Sequence, residues 1–347
     1  MPDTPISTDV LPDEEPQIFL VTDEMPLERL DKVLAQLVPQ HSRSRLQDWI
    51  ERGHVLVNGQ VARVRQNLRE DDVITVYEQP SPEEGSFKPE PIEFEVVEES
   101  PDWVVVNKPV GLVTHPGAGN WSGTLLNGLL YRYPELAQVA RAGIVHRLDK
   151  DTSGLLVVAR NEVAQTHLVR QLQARTMGRE YLALAHGRML GTGTVDRPIG
   201  RDPRVPVRMA VERPSAPKAA VTHYSLMRVG QYHDANISQV SCRLETGRTH
   251  QIRVHLSDRG YPVIGDAVYG NSAKINTVKD PLLKATIKAF NRQALHATQL
   301  SFIHPQKGER VVFTADMPQD MTGLCAQLRL SINQIDSTKS NWKDKLR

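Results

Sequence analysis

The sequence predicts an α+β protein with two folded domains: a small one of two helices and a small sheet, then a larger one on a mixed, largely antiparallel sheet. The first observation is the helical spacing of apolar residues in "LERLDKVLAQLV" and "HSRSRLQDWIERG" near the start of the chain. The second is a later series of short apolar segments with few helices between them. Strands in such succession favour hairpin connections over βαβ units, and therefore an antiparallel sheet.

The small domain is expected over residues 26–78. The first helix carries apolar residues on one face, at Leu27, Leu30, Val33, Leu34 and Leu37. The second helix has Ser42 at its expected N-cap and Gly53 just past its expected end. "HVLVNGQVA" alternates around Asn58-Gly59, a dipeptide typical of two-residue hairpins, and "DDVITVYE" supplies a further strand. These elements make a self-contained unit.

The larger domain is expected over residues 103–325, after an acidic linker and entry segment at residues 79–102. Its predicted strands include WVVVNKP, GIVHRL, GLLVVAR, EYLALAHG, AAVTHYSLMRV, ISQVSCRLETG, LHATQLSFI and RVVFTADM. Helices are predicted in NEVAQTHLVRQLQAR and THQIRVHLSDRG. Residues 326–347 form a C-terminal tail. Residues 1–25, which contain seven acids and no lysine or arginine, are expected to be disordered.

The net charge of +1 hides an uneven distribution of charge. Residues 1–25 and 78–102 carry net charges of −7 and −8, so the rest of the chain carries +16. Basic folded domains joined by acidic connectors favour a polyanionic partner, most often RNA or DNA. An ordinary solvated surface is the alternative.

Other features of the composition limit the class of protein. No apolar run approaches the roughly 20 residues that a membrane helix needs, and no secretory signal opens the sequence. Cys242 and Cys325 give neither a disulfide framework nor a zinc-site spacing. We therefore expect a cytoplasmic protein without a membrane partner. The absence of a heptad pattern and of an obvious exposed apolar strip favours a monomer.

The stretch "GIVHRLDKDTSGLLVVAR" places many ionisable groups between two apolar segments. Both segments are predicted to be strands, so the connection "HRLDKDTSG" is expected at the rim of the sheet. Asp149 follows the apolar Leu148 and has cations close to it in sequence. A partly desolvated carboxylate beside arginine or lysine stays ionised, and such a group is a candidate nucleophile or general base. For this motif in isolation, a structural ion pair that fixes a turn is the alternative.

The segment "LETGRTHQIRVHLSDRG" supplies a candidate partner for that carboxylate. A helix is expected to open at Arg248 or Thr249, with His250 and Arg253 on one face. A helix is a rigid mount for a guanidinium, which pairs well with a carboxylate or a phosphate. A solvated basic helix face is the alternative. The histidines of this region lack the spacing of zinc ligands, so no metal site is expected.

Two further segments carry candidate RNA contacts. Tyr181 begins a predicted strand beside basic residues, where an aromatic ring either stacks on a nucleobase or joins the core. In "VVVNKPVGLVTHPGAGN", Lys108 follows a strand, and the glycines allow the backbone to approach a ligand. Neither a P-loop nor a dinucleotide-binding fingerprint is present, which argues against a nucleotide cofactor.

Taken together, "HRLDKDTSGLLVVA", "GRTHQIRVH", "NKPVGLVTHPG" and "LHA" resemble the pseudouridine synthases of the large ribosomal-RNA (A-type) family. The preceding segments "RLDKVLAQLV", "SRSRLQDWI" and "VLVNG" resemble an S4 RNA-binding domain. The resemblance covers roughly residues 26–321 and leaves out the acidic N-terminus and the tail. It implies an S4 domain at residues 26–78 and a pseudouridine synthase catalytic domain at residues 103–325.

The resemblance also implies roles for individual residues. Asp149 matches the family's essential aspartate, Tyr181 the tyrosine that stacks on the target uracil, and Arg253 the arginine paired with the aspartate. Arg147 matches the arginine that helps to extrude the base. Further candidate RNA contacts are His146, Arg248, His250 and Lys108 in the catalytic domain, and Arg29, Ser42, Arg43, Ser44 and Arg45 in the S4 domain.

The implied activity is the isomerisation of specific uridines to pseudouridine in a stem-loop of large-subunit ribosomal RNA, free or in a pre-ribosomal particle. This rearrangement neither oxidises nor hydrolyses its substrate, so no cofactor or metal ion is expected. Asp149 attacks ribose C1′, attacks uracil C6 or removes the C2′ proton, and the sequence does not choose among these routes. Two other functions stay open: a synthase for another rRNA or tRNA site, and a non-catalytic RNA-binding assembly factor.

Overall fold

The computed structural model describes residues 16–23, 25, 28–78, 86–117, 119–205, 207–232, 235–270, 275–276, 278–328 and 330. The chain divides into two compact units, Met1–Gly85 and Ser86–Arg347. Across the described residues, no helix has both the length and the apolar character needed to cross a membrane.

The first unit combines two helices with a small antiparallel sheet. Its elements are β1 (Gln17–Leu20), α1 (Leu30–Leu37), α2 (Arg43–Glu51), β2 (Val55–Val57), β3 (Gln60–Val61) and β4 (Val73–Val76). The strands lie in the order β1-β4-β2-β3. Asn58 and Gly59 join β2 to β3 in the hairpin that the sequence predicts. The apolar faces of the helices pack with the inward residues of β2 and β4 in one buried core.

Helix boundaries in this unit follow local capping chemistry. The hydroxyl of Ser42 accepts a hydrogen bond from the backbone N–H of Arg45, and Gly53 follows the C-cap with φ +82°, as predicted for α2. The first helix begins at Leu30, later than its apolar pattern suggests, because Arg29 instead forms an isolated bridge with Asn67. Leu27 lies outside the described residues.

The expectation of disorder over residues 1–25 is wrong for Gln17–Leu20. These four residues form β1, which pairs antiparallel with Val73–Val76. Their alternating burial explains the error, since a short edge strand with exposed Ile18 and Leu20 gives only a weak pattern beside an acidic segment. Residues 1–15 lie outside the described part of the chain.

The second unit is built on a large sheet with helices on both faces. Its helices are α3 (Leu125–Arg132), α4 (Glu162–Gln173), α5 (Gln251–Asp258), α6 (Pro281–Ala289) and α7 (Gln319–Gln327), with 3-10 turns at Pro134–Gln138 and Ala140–Gly143. The strands are β5 (Glu95–Glu99), β6 (Trp103–Lys108), β7 (Ser153–Ala159), β8 (Gly178–His186), β9 (Thr192–Asp196), β10 (Ile199–Arg201), β11 (Met209–Ala210), β12 (Ser215–Lys218), β13 (Val221–Tyr232), β14 (Ala235–Leu244), β15 (Leu295–Ile303) and β16 (Arg310–Thr314).

The strand order of the large sheet is β5-β6-β7-β15-β8-β14-β13-β9, and β16 pairs with β15. Strands β7 and β15 are parallel where Ser153 faces His296 and Gly154 faces Ala297. The other described pairings in this sheet are antiparallel, which confirms the predicted mixed, largely antiparallel sheet. A separate small sheet has the order β11-β10-β12.

Both faces of the central strands are buried. Alternate residues along a strand point to opposite faces, and each face packs into a different hydrophobic core. On β6, Val104 and Val106 join the core under α3, α5, α6 and α7, whereas Trp103 and Val105 join the core under α4. Strand β7 is therefore buried along its whole length. This double burial fixes the position at which β7 begins, and so the place of the loop that precedes it.

Two predicted elements differ in the structure. Gly143–Val145 is not a strand: Ile144 makes one isolated bridge to Val158, and Gly143 has φ +74°. A side chain at Gly143 would overlap the carbonyl of Ala159, so the chain turns here where a strand would continue. The helix predicted to open at Arg248 or Thr249 begins at Gln251, after a left-handed His250.

We expect Gly154→Ala to destabilise the second unit strongly. Gly154 has φ +114°, and a Cβ there would lie 2.2 Å from the carbonyl oxygen of Ala297 in the neighbouring strand. Backbone strain and displacement of β15 should together lower the free energy of unfolding by at least about 3 kcal/mol in chemical denaturation.

Gly308→Ala is the matched control, because Gly308 also has positive φ but no atom lies within 4 Å of its added Cβ. It should cost about 1 kcal/mol. Equal losses in the two variants would contradict the close strand approach at Gly154.

Candidate active site

Asp149 lies in the connection that leads into β7, and the residues on either side of it are tied to the fold. Upstream, the backbone of Leu148 is bound through both of its polar groups. The Thr114 hydroxyl donates to the Leu148 carbonyl at 2.7 Å and accepts from its N–H at 3.3 Å. The Leu148 side chain is buried in the core. The residue before the acid is therefore fixed.

Lys108 supports the other side of this connection. Its ammonium is fully buried and donates to the carbonyls of Pro109, Leu112 and Lys150 at 2.8, 2.8 and 3.0 Å. Burial lowers the pKa of Lys108 to about 7, and the charges of Asp149 and Asp151 oppose that effect. The prediction that Lys108 contacts RNA is wrong, because β6 is buried at this end and the side chain points under the loop.

Further bonds hold the chain just past the acid. Arg292 donates to the carbonyl of Asp151 at 3.2 Å, and Gln293 donates to the hydroxyl of Thr152 at 3.1 Å. The N–H of Thr152 donates to the carbonyl of Asp149 at 3.1 Å and closes the turn. The backbone that carries Asp149 is therefore held from β6, from the segment after it and from the residues before β15.

Arg253 of α5 binds two carboxylates at once. Its Nη1 donates to Asp149 Oδ2 at 2.9 Å, while Nε and Nη2 donate to the two oxygens of Asp266 at 2.7 and 2.9 Å. The side chain of Asp266 is fully buried, that of Arg253 is 5% exposed and that of Asp149 is 18% exposed. The bidentate pair with Asp266 fixes the plane of the Arg253 guanidinium. The remaining edge of that guanidinium holds Asp149 at the surface of the cleft.

The charges of this group are stabilised by their neighbours. Burial raises the pKa of Asp266, but the hydrogen bonds from Arg253 and from the N–H groups of Tyr269 and Val268 outweigh it and hold that pKa below its ordinary value. Burial likewise disfavours the charged form of Arg253, and Asp266 and Asp149 together raise its pKa above the ordinary value. The cation beside Asp149 is therefore permanent.

His250 lies on the other side of Asp149. It is the N-cap of α5 with φ +57°, not a residue of the helix as predicted, yet it still faces the acid. Its Nε2 lies 4.0 Å from Asp149 Oδ1, and its Nδ1 is hydrogen-bonded to the Tyr269 hydroxyl at 2.8 Å. Burial lowers the pKa of His250, with Asp149 acting in the opposite sense, so the ring is neutral at neutral pH.

Asp149 opens into a cleft of about 770 Å³ that brings most of the predicted catalytic-domain residues together. Tyr181, on β8, is buried in its wall, and burial raises the pKa of its hydroxyl. His146 is half-buried, and burial, with a further contribution from Arg179, lowers its pKa to about 3. Arg147 and Arg248 are the exposed members. The lining residues that were predicted from the sequence are His146, Arg147, Asp149, Tyr181, Arg248, His250 and Arg253.

Sequence reasoning did not select three residues that shape this site. Asp266 and Tyr269 follow α5 in "IGDAVYG", a segment that reads as a turn. Arg179 lines the cleft near Tyr181; it is 6% exposed and donates to the carbonyl of Glu245 at 3.2 Å. Among the described residues, no carboxylate is bonded to Arg179. Its position two residues before Tyr181 on β8 was the available signal, since alternate residues of a strand share a face.

In the first unit, the predicted RNA-contacting residues cluster around the start of α2. Arg29 and Arg43 both bind the buried carboxylate of Asp31, at 3.0 and 2.6 Å, while their side chains stay partly exposed. Burial raises the pKa of Asp31, but these bonds, with one from Gln47, lower it below the ordinary value. Ser44 is exposed and Arg45 packs over the ring of Trp49. Ser42 caps α2, as described above.

The arrangement around Asp149 suits acid–base or nucleophilic chemistry. One carboxylate oxygen is bound to Arg253, and the other faces the cleft without that bond. An ionised, largely desolvated carboxylate with one unbound oxygen attacks an electrophilic carbon or removes a proton. Within the part of the chain that the structure describes, no cluster of three or more His, Cys, Asp or Glu residues could hold a metal ion.

Comparison with known proteins finds related sequences over most of the chain. A family profile described as RNA pseudouridylate synthase matches residues 102–258, and an S4 domain profile matches residues 28–74. The ribosomal large subunit pseudouridine synthase D of Neisseria meningitidis serogroup B is 48% identical, over 92% of this chain and 86% of its own. The protein of the same name from Xanthomonas campestris pv. campestris is 46% identical, over 89% and 92%.

Among solved structures, the human RNA pseudouridylate synthase domain-containing protein 4 has a similar fold. The match has a TM-score of 0.53 at 24% identity and covers 69% of this chain and 94% of that one.

We expect Asp266→Asn to destabilise the protein by about 3–5 kcal/mol near neutral pH, because it removes one partner from a buried ion pair. The folded pKa of Asp266 lies below its ordinary value of 3.8, so this stabilisation is present above about pH 4 and is lost as the pH falls below that range. In thermal unfolding, the difference in melting temperature between wild type and variant should therefore be large at pH 7 and become smaller towards pH 3.

Glu212→Gln is the control, because it removes an exposed partner of Arg197 and should leave the melting temperature nearly unchanged. If the melting temperatures of wild type and Asp266→Asn differ by the same amount across this pH range, the role of the Asp266 charge is contradicted.

Proposed function

Because the chain belongs to the RNA pseudouridylate synthase family, we propose that it isomerises uridines to pseudouridine in a stem-loop of large-subunit ribosomal RNA. The names of the relatives and the S4 domain profile support this class of substrate. The observation that carries the proposed chemistry is the Asp149 carboxylate, held by a buried guanidinium at the floor of a basic cleft. A total-RNA map of pseudouridine with and without the protein tests the choice of RNA.

In the proposed reaction, the bond between uracil N1 and ribose C1′ breaks, the base turns, and a bond forms between C5 and C1′. The proton released from C5 balances the proton gained at N1, so nothing is oxidised and no water is consumed. Asp149 is the proposed catalytic carboxylate, through attack at C1′, attack at C6 or removal of the C2′ proton. In each route Arg253 binds one oxygen of the acid and directs the other into the cleft.

The target uridine must leave its stack before it reaches Asp149. Unstacking costs a few kcal/mol, and stacking on an aromatic ring returns about 1–3 kcal/mol per base. Tyr181 is the proposed stacking partner, since its ring lies in the cleft wall. Arg147, exposed next to the loop that carries the acid, is the proposed residue that helps to extrude the base.

The backbone of the RNA requires a basic surface. In the catalytic unit, we assign phosphate binding to Arg179 and Arg248, with His146 and His250 as further contacts in the cleft. In the S4 unit, Arg29, Arg43 and Arg45 with Ser42 and Ser44 form the proposed RNA-facing surface around the start of α2. Selection of the RNA then rests on the shape of its fold more than on direct reading of its sequence.

The proposal extends to the setting of the reaction. The partner is large-subunit rRNA, either free or in a pre-ribosomal particle, and the compartment is the cytoplasm. The enzyme acts as a monomer. It needs no nucleotide cofactor, because the rearrangement balances within the substrate.

We expect Asp149→Asn to keep the fold and RNA affinity but to abolish pseudouridine formation, because an amide is neither a nucleophile nor a base of comparable strength. Tritium release from RNA labelled at uridine C5 measures turnover, and a filter-binding assay measures affinity. Asp151→Asn is the matched control, since this neighbouring acid contributes its backbone carbonyl to the loop and should retain activity. Wild-type tritium release by Asp149→Asn would refute the assignment.

We expect Arg179→Met to weaken RNA binding and to lower its dependence on salt. A guanidinium bound to one phosphate contributes roughly one unit to the slope of log K against log salt concentration. Binding constants measured between about 50 and about 200 mM salt should therefore show a shallower slope for the variant. Arg188→Met, which removes an exposed arginine outside the cleft, should keep the wild-type slope. Parallel slopes for Arg179→Met and wild type would contradict a phosphate contact.

A further inference from the structure

Tyr269 contacts Arg253 and His250, which face Asp149, and also Asp266, which binds Arg253. Its backbone N–H donates to Asp266 Oδ1 at 3.0 Å, and its ring lies under the guanidinium of Arg253, 5.2 Å from the ring centre. Its hydroxyl is hydrogen-bonded to His250 Nδ1 at 2.8 Å. The ring is buried in a small apolar cluster and is 4% exposed. Tyr269 does not itself line the cleft.

The neighbours of Tyr269 favour one direction for its hydrogen bonds. The backbone N–H of Met209 donates to the Tyr269 oxygen at 2.8 Å, so the tyrosine O–H is free to donate in turn. When it donates to His250 Nδ1, that nitrogen is unprotonated. A neutral His250 therefore carries its proton on Nε2, the nitrogen that faces Asp149. The backbone N–H of Met209 in β11 thus favours one tautomer of a histidine in the cleft.

The space between His250 and Asp149 fits one hydroxyl group. Nε2 of His250 and Oδ1 of Asp149 are 4.0 Å apart, too far for a direct hydrogen bond, while Asp149 Oδ2 is bound to Arg253. An oxygen can lie about 2.8 Å from each of two atoms at that separation. The nitrogen is a donor and the carboxylate an acceptor, so the group between them must accept one hydrogen bond and donate another.

We propose that His250 and Asp149 together bind the 2′-hydroxyl of the target nucleotide, and that Tyr269 is the positioning residue that holds His250 in the required tautomer. This inference rests on the proposed function, which brings the ribose of the target to Asp149. A 2′-hydroxyl both accepts and donates, and it lies on the carbon next to C1′. A deoxyribose leaves the histidine N–H without a partner, so the pair selects RNA over DNA at the reacting nucleotide.

The test is a cycle between one protein variant and one substrate change. The substrates are a large-subunit rRNA stem-loop with uridine at the target, and the same RNA with 2′-deoxyuridine there. Wild type and Tyr269→Phe are compared on both in single turnover and in steady state. Tyr261→Phe is the matched control, because it removes the hydroxyl of a half-buried tyrosine of the same unit outside the cleft.

On the all-ribose RNA, we expect Tyr269→Phe to lower kcat about tenfold, the usual effect of losing one well-placed hydrogen bond, with little change in KM. The deoxy substrate should slow the wild-type enzyme by a similar factor. Tyr269→Phe should then cause no further loss on the deoxy substrate. Tyr261→Phe should behave as wild type on both.

Two results would overturn the inference while the proposed function stands: full activity of Tyr269→Phe on the ribose substrate, or losses from the variant and the deoxy substitution that multiply. If wild type converts neither substrate but Asp149→Asn still binds the RNA, the proposed function fails instead.

A second measurement tests the tautomer without any turnover. In protein labelled with 15N in the histidine rings, His250 should show an unprotonated Nδ1 and a protonated Nε2, with its signals assigned by their loss in His250→Gln. Tyr269→Phe should remove this preference. A wild-type His250 protonated at Nδ1 would contradict the proposed direction of the hydrogen bonds.

Discussion

The site depends on one buried guanidinium that is shared between two carboxylates. Burying a charge is unfavourable unless it is paired, and Arg253 is paired on two of its edges. Asp266 has no freedom to move, because it also accepts from two backbone N–H groups. The guanidinium is therefore oriented by the fold itself, and Asp149 takes the edge that is left. The Asp149 carboxylate is therefore oriented before any substrate arrives.

Rigidity is distributed unevenly around this acid. The loop that carries Asp149 is held by side chains from distant parts of the unit, including a buried lysine whose three N–H groups match three carbonyls. In contrast, Arg147 and Arg248 reach from the rim into solvent. This division suits an enzyme for a folded polymer: the reacting atoms need a fixed frame, while the contacts to a flexible phosphate backbone adapt to its shape.

The sequence predicted the elements whose patterns are local. Short apolar segments marked β6, β7, β8 and β15, and capping residues marked α2. Local patterns made Asp149 and Arg253 candidates, and the resemblance of their motifs to the pseudouridine synthases supplied their predicted roles. Asp266 and Tyr269 were missed because their importance comes from contacts across the fold, in a segment that reads as a turn. Lys108 was placed wrongly, because nothing near it in sequence reveals that three carbonyls converge on its ammonium.

The parallel contact between β7 and β15 affects how the enzyme folds during translation. Ser153 and Gly154, directly after the catalytic loop, pair with His296 and Ala297, more than a hundred positions further along the polypeptide. During translation the acid therefore emerges long before the strand that completes its surroundings. Contacts of such long range also slow folding. A nascent chain that ends before β15 therefore lacks the strand that Ser153 and Gly154 pair with, and its catalytic loop is not yet held in place.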